Sequence, residues 1–369
     1  MNTFATPDGT KKYAARFALR AAKGHFREQH GLLLSSLGAG TYLGEADART
    51  DQAYAEAIVA AVESGANVID SAINYRFQRS ERSVRAALEE LSRRGFAREE
   101  LVICTKGGFL TPDGDLPEDA SEYFQREYVE TGILREGDVV AQCHSLAPKF
   151  LADQLERSRR NLGVETIDVY YLHNPETQLG EVPRAMFHNR VRAAFELLES
   201  AVAAAKIHFY GLATWNAFRQ PENAPDYLSL AEMESLARDE AGGSHHFRFV
   251  QLPLNLGMTE AFTRGNQLLD GRRVPMILAV RALGLTLVAS ASLLQGQLSR
   301  RLPPFVASAL GLESDAERAL QFDRSTPGIT TALIGMSRVE HARANLRLAS
   351  VAPASQEEFS KLFERGKQV

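Results

Sequence analysis

The stretch Asp51-Gln-Ala-Tyr-Ala-Glu-Ala-Ile-Val-Ala-Ala-Val-Glu-Ser-Gly65-Ala-Asn-Val-Ile-Asp70 contains the fold in miniature. A segment of helical period runs to Ser64, a glycine stops it, and a short apolar run over 66–72 follows, carrying an acid. Gly65 stands where a helix hands over to a strand, which a residue free to turn left-handed does most easily.

The same unit recurs along the chain. Working outward, strands are expected within 32–43 and over 66–72, 101–105, 166–173, 208–213, 247–254, 285–290 and 331–335. Helices are expected between them, over 51–64, 81–93, 148–162, 191–205, 229–238, 274–283 and 338–349. Gly163 and Gly284 repeat the role of Gly65. About eight strand–helix units follow one another without a break in composition. Each return needs a crossover helix, so the strands are parallel. Two architectures meet this, an open doubly wound sheet and a closed barrel. No GxGxxG follows the first strand, and Gly38-Ala39-Gly40 lies within one, which favours an α/β fold of the (β/α)8 TIM-barrel type. Two stretches break the rhythm. Residues 107–147 open on Thr111-Pro-Asp-Gly-Asp115 and then carry Tyr123, Phe124, Tyr128 and Ile133, too apolar for a linker and too long for a plain connection. Residues 294–324, with Pro303-Pro304, read as a second excursion plus a short helix. The expected organisation is an N-terminal extension over 1–30, packed on a barrel over 31–369 with an ordered insertion at 107–147.

Composition narrows the class. Of 369 residues, 44% are hydrophobic and 24% charged, the balance of a soluble globular protein. A net charge of −4 and no basic stripe argue against a nucleic-acid partner. No apolar run approaches the ~20 residues that span a membrane. The two cysteines, Cys104 and Cys143, have no metal-ligand spacing, and Cys104 reads as a buried small residue. Both fit a reducing cytoplasm. Residues 10–29 are rich in Ala, Lys and Arg, as transit peptides are, but a surface helix laid over the domain is the plainer reading.

In such a barrel, chemistry gathers where strands end. The polar residues there are Asp70, Tyr75 just beyond it, Lys106 and His173. An acid, a phenol, an amine and an imidazole on one rim suit proton delivery to an oxygen. An ammonium makes a phenol's proton easier to give up, a carboxylate holds the ammonium charged, and an imidazole orients the oxygen or shares the proton. The set holds neither an activated serine nor a metal shell.

These residues lie in recognisable blocks. Asp70-Ser-Ala-Ile-Asn-Tyr75, Cys104-Thr-Lys-Gly107 and Ile167-Asp-Val-Tyr-Tyr-Leu-His173-Asn-Pro175 resemble the signature blocks of the aldo-keto reductase family. Gly211-Leu-Ala-Thr-Trp-Asn216, Phe249-Val-Gln-Leu-Pro-Leu-Asn255 and Leu333-Ile-Gly-Met-Ser337 follow in the family's order, and the resemblance spans roughly 35–350. It implies NADPH, with NADH possible, lying across the barrel mouth, and reduction of a small-molecule aldehyde or ketone to an alcohol. Tyr75 would be the general acid, tuned by Lys106 and Asp70, and His173 would orient the carbonyl. Gln251 and Thr214 match contacts to the carboxamide. Ser337, Arg338, His341 and Asn345 match positions around the adenosine and its phosphate, at a helix start that suits an anion. Departures are Arg76 where the family usually has Gly, Ala213 for a serine, Ala289-Ser-Ala-Ser-Leu293 where a stacking aromatic is common, His341 for an arginine and Ala344 for an acid.

Plainer readings stand beside these. His144 is expected on a surface loop, although its excursion could lie over the pocket. Adjacent His245 and His246 point to opposite faces of a strand, against a shared ion. Tyr170 and Tyr171 are packing residues, and Trp215 is either pocket wall or core. Arg76, Arg79, Glu81 and Arg82 form a solvated ion-pair face or, beside Tyr75, an anion grip. A nicotinamide-binding regulatory subunit with little turnover is the competing function. A metal-dependent barrel hydrolase would need more strand-end ligands than Asp70 and His173. By its place after Lys106, the 107–147 excursion is expected to cover the pocket mouth. Oligomeric state and the physiological substrate are not encoded legibly.

Overall fold

The computed structural model describes residues 4–135 and 137–364. Eight parallel strands close into a barrel, each paired with its sequence neighbours and the last with the first. They are β1 (Leu37–Gly40), β2 (Val68–Asp70), β3 (Val102–Gly107), β4 (Ile167–His173), β5 (Ile207–Ala213), β6 (Phe247–Pro253), β7 (Thr286–Ser290) and β8 (Ile329–Gly335). The crossover helices are α1 (Ala48–Glu63), α2 (Arg79–Arg93), α3 (Pro148–Leu162), α4 (Arg184–Ala203), α5 (Leu230–Ala241), α6 (Met276–Ala282) and α7 (Asp315–Ser325), and α8 (Val339–Leu346) follows β8.

Local chemistry sets the boundaries. Asp47 caps α1 by accepting from the Thr50 N–H at 2.7 Å. Pro148 opens α3 at a position where no N–H is needed, and Gly163 ends it at φ 65°. Ser314 and Glu317 cap α7 reciprocally.

Alternation along the strands splits the core in two. Val102, Cys104, Val169, Tyr171, Phe249, Val288 and Leu333 fill the barrel interior, while Ile103, Tyr170, Leu172, Val250 and Leu287 face the helices. That same period of two carries Lys106, His173 and Gln251 to the interior face at the rim.

The 32–43 run is not one strand. Leu32–Ser35 pairs antiparallel with Phe26–Gln29 through a turn at His30 and Gly31, both left-handed, and only Leu37–Gly40 enters the barrel. The hairpin plugs the barrel floor: Leu32 and Leu34 join the interior cluster, and His30 packs on Phe209 and Phe249 at 5.6 and 5.7 Å. Ahead of it, a helix over Pro7–Ala15 docks through the Tyr13 hydroxyl, which donates to Val62 O at 2.6 Å. A second hairpin, Gly265–Leu269 with Arg272–Pro275, turns on Asp270-Gly271. The 294–324 stretch holds two helices, Pro304–Leu310 and α7, rather than one.

The 107–147 excursion packs beside the barrel and not across its mouth. Tyr128, Leu134 and Phe150 form a cluster of their own, joined by Tyr123 and Phe124. The Tyr128 hydroxyl donates to Thr111 O at 3.0 Å, and Arg157 of α3 pairs with Glu127 at 2.6 Å. Among the described residues of the excursion, only Phe109 reaches the barrel cavity. Among the described residues, no helix is long and apolar enough to cross a membrane.

Candidate active site

β2 and β3 place two opposite charges side by side. The Lys106 ammonium donates to Asp70 Oδ1 at 2.5 Å and to Ser71 O at 2.7 Å. Gln251, from β6 across the barrel, donates its amide to the other Asp70 oxygen at 2.9 Å. Both charges are nearly dry, at 1% and 6% side-chain exposure. Burial pulls the Lys106 ammonium down, but Asp70 and Tyr75 more than reverse it and leave the group above its ordinary value. Burial raises the Asp70 carboxyl, with Lys106 and Gln251 opposing. A buried ion pair with its remaining hydrogen-bond capacity taken up is thus the floor of the site.

Tyr75 stands over that pair. The Lys106 Nζ lies 5.0 Å from its ring centroid, and the His173 ring meets it edge-on at 5.7 Å. Burial raises the phenol above its ordinary value; Lys106 pulls it down and Asp70 pushes it up. The phenol therefore keeps its proton at neutral pH. Burial also drives His173 well below the usual histidine range, helped by Lys106 and His144, so its imidazole is neutral. His173 Nδ1 is buried without a hydrogen-bond partner among the described residues.

His144 is no surface residue. It is fully buried, and its Nε2 lies 2.8 Å from the His173 carbonyl oxygen. The Gln178 amide nitrogen lies 2.8 Å from His144 Nδ1. Gln178 donates there, so Nδ1 accepts and Nε2–H donates. The loop bearing His144 holds the backbone of His173, and Phe109 packs edge-on against both rings at 4.9 and 5.1 Å. Sequence could not show this, because Gln178 lies 34 positions from His144.

A cavity of about 1010 Å³ opens at this rim. Its wall near Tyr75 is Tyr42, Leu43, Phe109 and Trp215, and it runs past Gln251 and Ser290–Leu293 to Gly335, His341 and Asn345. Trp215 is cavity wall, 44% exposed. Thr214 also lines it, with a buried Oγ1 that has no hydrogen-bond partner among the described residues. Of the residues matched to cofactor contacts, Thr214, Gln251, His341 and Asn345 line the cavity. Ser337 and Arg338 do not, and Arg338 is the exposed N-cap of α8. The Gln251 amide is committed to Asp70. A polar residue that the sequence reading passed over is Glu176, three beyond His173. It is buried, and its Oε1 accepts from Trp215 N at 2.7 Å and Asn216 N at 3.1 Å, which fixes the Trp215 loop.

The charged face after Tyr75 divides: Arg82 forms a solvated ion pair with Asp113, while Arg76 and Glu81 are buried and offer no anion grip. Arg76 is 7% exposed and paired with Asp51 at 2.5 Å. Glu81 is fully buried between Thr105 and Asn161. His245 and His246 part company, to Glu234 and Glu199.

A (β/α)8 barrel with a buried phenol, ion pair and neutral imidazole at one end of a long cavity defines a class of catalytic barrel. The chain belongs to the aldo/keto reductase family, whose sequence model matches residues 36–238. Solved structures agree in fold. An aldo-keto reductase from Bacillus halodurans in its holo form superposes with a TM-score of 0.61 at 18% identity, over 92% of this chain and 95% of that one. An aldo/keto reductase from Klebsiella pneumoniae in complex with NADP and acetate gives 0.60 at 20%, over 92% and 94%. A glycerol dehydrogenase from Gluconobacter oxydans gives 0.65 at 18%, over 93% and 95%. No curated protein sequence matches significantly.

Proposed function

We propose that this enzyme reduces an aldehyde or ketone to an alcohol, with NADPH as hydride donor and Tyr75 as proton donor. The observation that carries the reading is the Lys106–Asp70 pair, dry and 2.5 Å long, directly beneath the Tyr75 ring. Bound at the cavity, a reduced nicotinamide supplies the hydride to the carbonyl carbon. Tyr75 gives its phenolic proton to the carbonyl oxygen, and the charge left on the phenol is stabilised by the Lys106 ammonium until water returns the proton. Asp70 keeps Lys106 protonated. His173, neutral, orients the carbonyl oxygen rather than storing a proton.

The cofactor fits the cavity's shape and donors. Thr214 Oγ1 is a buried orphan facing the nicotinamide end, and His341 and Asn345 line the far end. Arg300 on the cavity wall, with exposed Arg338 at the head of α8, supports NADPH over NADH. Ser337 also sits at that head. The K. pneumoniae neighbour in complex with NADP supports the same reading. Two free cysteines support a reducing compartment such as the cytoplasm.

The test is Tyr75→Phe. Trp215, the chain's single tryptophan, stands on the cavity wall, so its fluorescence reports binding of NADPH and NADH. The variant should bind NADPH like wild type and lose 10²–10⁴-fold in kcat on a panel of aldehydes and ketones. Turnover that survives the change undiminished refutes the reading, and a wild type with binding but no turnover favours a regulatory subunit.

A further inference from the structure

Directly after Tyr75 the backbone takes three successive left-handed steps, at Arg76 (φ 48°), Phe77 (55°) and Gln78 (72°). None is glycine or asparagine. Each costs free energy, and a run of three persists only where its surroundings over-determine it.

The surroundings centre on one guanidinium. Arg76 Nη1 donates to Asp51 of α1, Nε to Ser80 of α2 at 3.1 Å, and Nη2 to Ser83 at 2.9 Å. Its face lies 4.8 Å from the Tyr54 ring centroid. All three nitrogens donate within the protein, and Arg76 is buried away from the cavity wall, so the guanidinium is not presented to a ligand. From Ser80 the chain of bonds runs on toward the site: Ser80 Oγ donates to Thr41 O at 2.9 Å, and Thr41 Oγ1 to Asp70 O at 3.2 Å. Gln78 pins the far end of the turn to Pro112 O at 3.1 Å.

We propose that Arg76, held by Asp51, is a positioning residue for Tyr75, and that its fork locks the left-handed turn so that the phenol stays over Lys106. The proposal rests on Tyr75 being the proton donor. Arg76 touches neither substrate nor cofactor. It acts through the one peptide link to Tyr75 and through the hydrogen bonds that tie that turn to Thr41 and Asp70.

The experiment compares Arg76→Gly, Arg76→Lys and Asp51→Asn with wild type. Glycine accepts positive φ freely, so Arg76→Gly removes the fork without adding backbone strain. Reduction of the aldehyde and ketone panel by NADPH is measured, together with quenching of Trp215 by NADPH. Arg76→Gly should lower kcat at least tenfold on the best panel member, with carbonyl KM and NADPH Kd within twofold of wild type. Arg76→Lys should recover at least threefold of that loss, and Asp51→Asn should fall between Gly and wild type. A kcat within twofold of wild type in Arg76→Gly overturns the proposal, as does a loss carried by NADPH binding. Should Arg76→Gly fail to fold, Asp51→Asn decides by the same criteria. Tyr75→Phe run alongside separates two failures: turnover retained there refutes the proton-donor reading, whereas turnover lost there but intact in Arg76→Gly refutes only the role of Arg76.

Discussion

Replacing Lys106 with methionine removes the ammonium that touches Asp70 and leaves the Gln251 amide as the carboxylate's remaining side-chain partner. With both groups nearly dry, breaking such a pair costs about 3–5 kcal/mol. The carboxyl has an escape, which is to take a proton. Starting from an ordinary value of 3.8, protonation costs ~4 kcal/mol at pH 7 and ~1.6 kcal/mol at pH 5, and that sets the ceiling at each pH. The sign follows. In the variant the folded-state pKa of Asp70 lies well above the unfolded one, so the folded state binds more protons and loses stability as pH rises. Lys106→Met should therefore be destabilised by ~4 kcal/mol at pH 7 but only ~1.5 kcal/mol at pH 5. Urea unfolding at the two pH values measures both. For a chain of 369 residues the larger figure is a drop of roughly 5 °C in Tm. Lys106→Met/Asp70→Asn should regain at least ~2 kcal/mol at pH 7 without regaining turnover, because a neutral pair replaces an orphaned charge. Equal losses at both pH values, or a double variant no more stable than the single, would refute the reasoning.

A Cβ on Gly211 would sit 2.2 Å from the Phe249 carbonyl oxygen, backbone that cannot give way, so Gly211→Ala should cost more than ~4 kcal/mol or yield no soluble protein. Gly180→Ala, with nothing within 4 Å, is the control and should stay within ~0.5 kcal/mol by urea melt. Burial holds His25 and His144 neutral, each with its pKa lowered to about 4 from 6.5. The unfolded chain takes up those protons first, so stability is full above 6.5 and is lost as pH falls toward 4, at ~1.4 kcal/mol per pH unit per histidine. His144→Gln should take that amount off the slope of the unfolding free energy with pH, measured by urea titration, and an unchanged slope would count against its burial as neutral imidazole.

The barrel and the rim of the site were legible because both follow from local rules. Helix-to-strand handover at Gly163 and alternation along β3, β4 and β6 carry Lys106, His173 and Gln251 inward without any knowledge of neighbours. What the chain hid depended on partners far away in sequence. Arg76 looks like part of a solvated charge cluster until α1 brings Asp51 to it. His144, between Cys143 and Ser145, carries no mark of burial, and the groups that settle it are Gln178 and the backbone of His173. Within the 32–43 run only Ser35-Ser36 interrupts the apolar residues where the floor hairpin ends and β1 begins, and two small buried serines are too weak a break to announce a change of sheet. The hairpin that turns on Asp270-Gly271 was missed, although Asp-Gly is a common hairpin turn. Its strands, of mixed exposure and without alternation, gave no support.

The seam where β8 meets β1 sets a condition on how the protein is made. Ala332 of β8 pairs with Leu37 of β1 across 295 positions of chain, so the first barrel strand leaves the ribosome long before its last neighbour exists. At ~5–20 residues per second that interval is roughly 15–60 s. Throughout it, the N-terminal strand presents an unpaired edge to the cell, and the floor hairpin formed by its preceding residues waits on a cylinder still open along one side. Whatever guards nascent chains from sticking to one another must cover this edge until residue 335 has emerged.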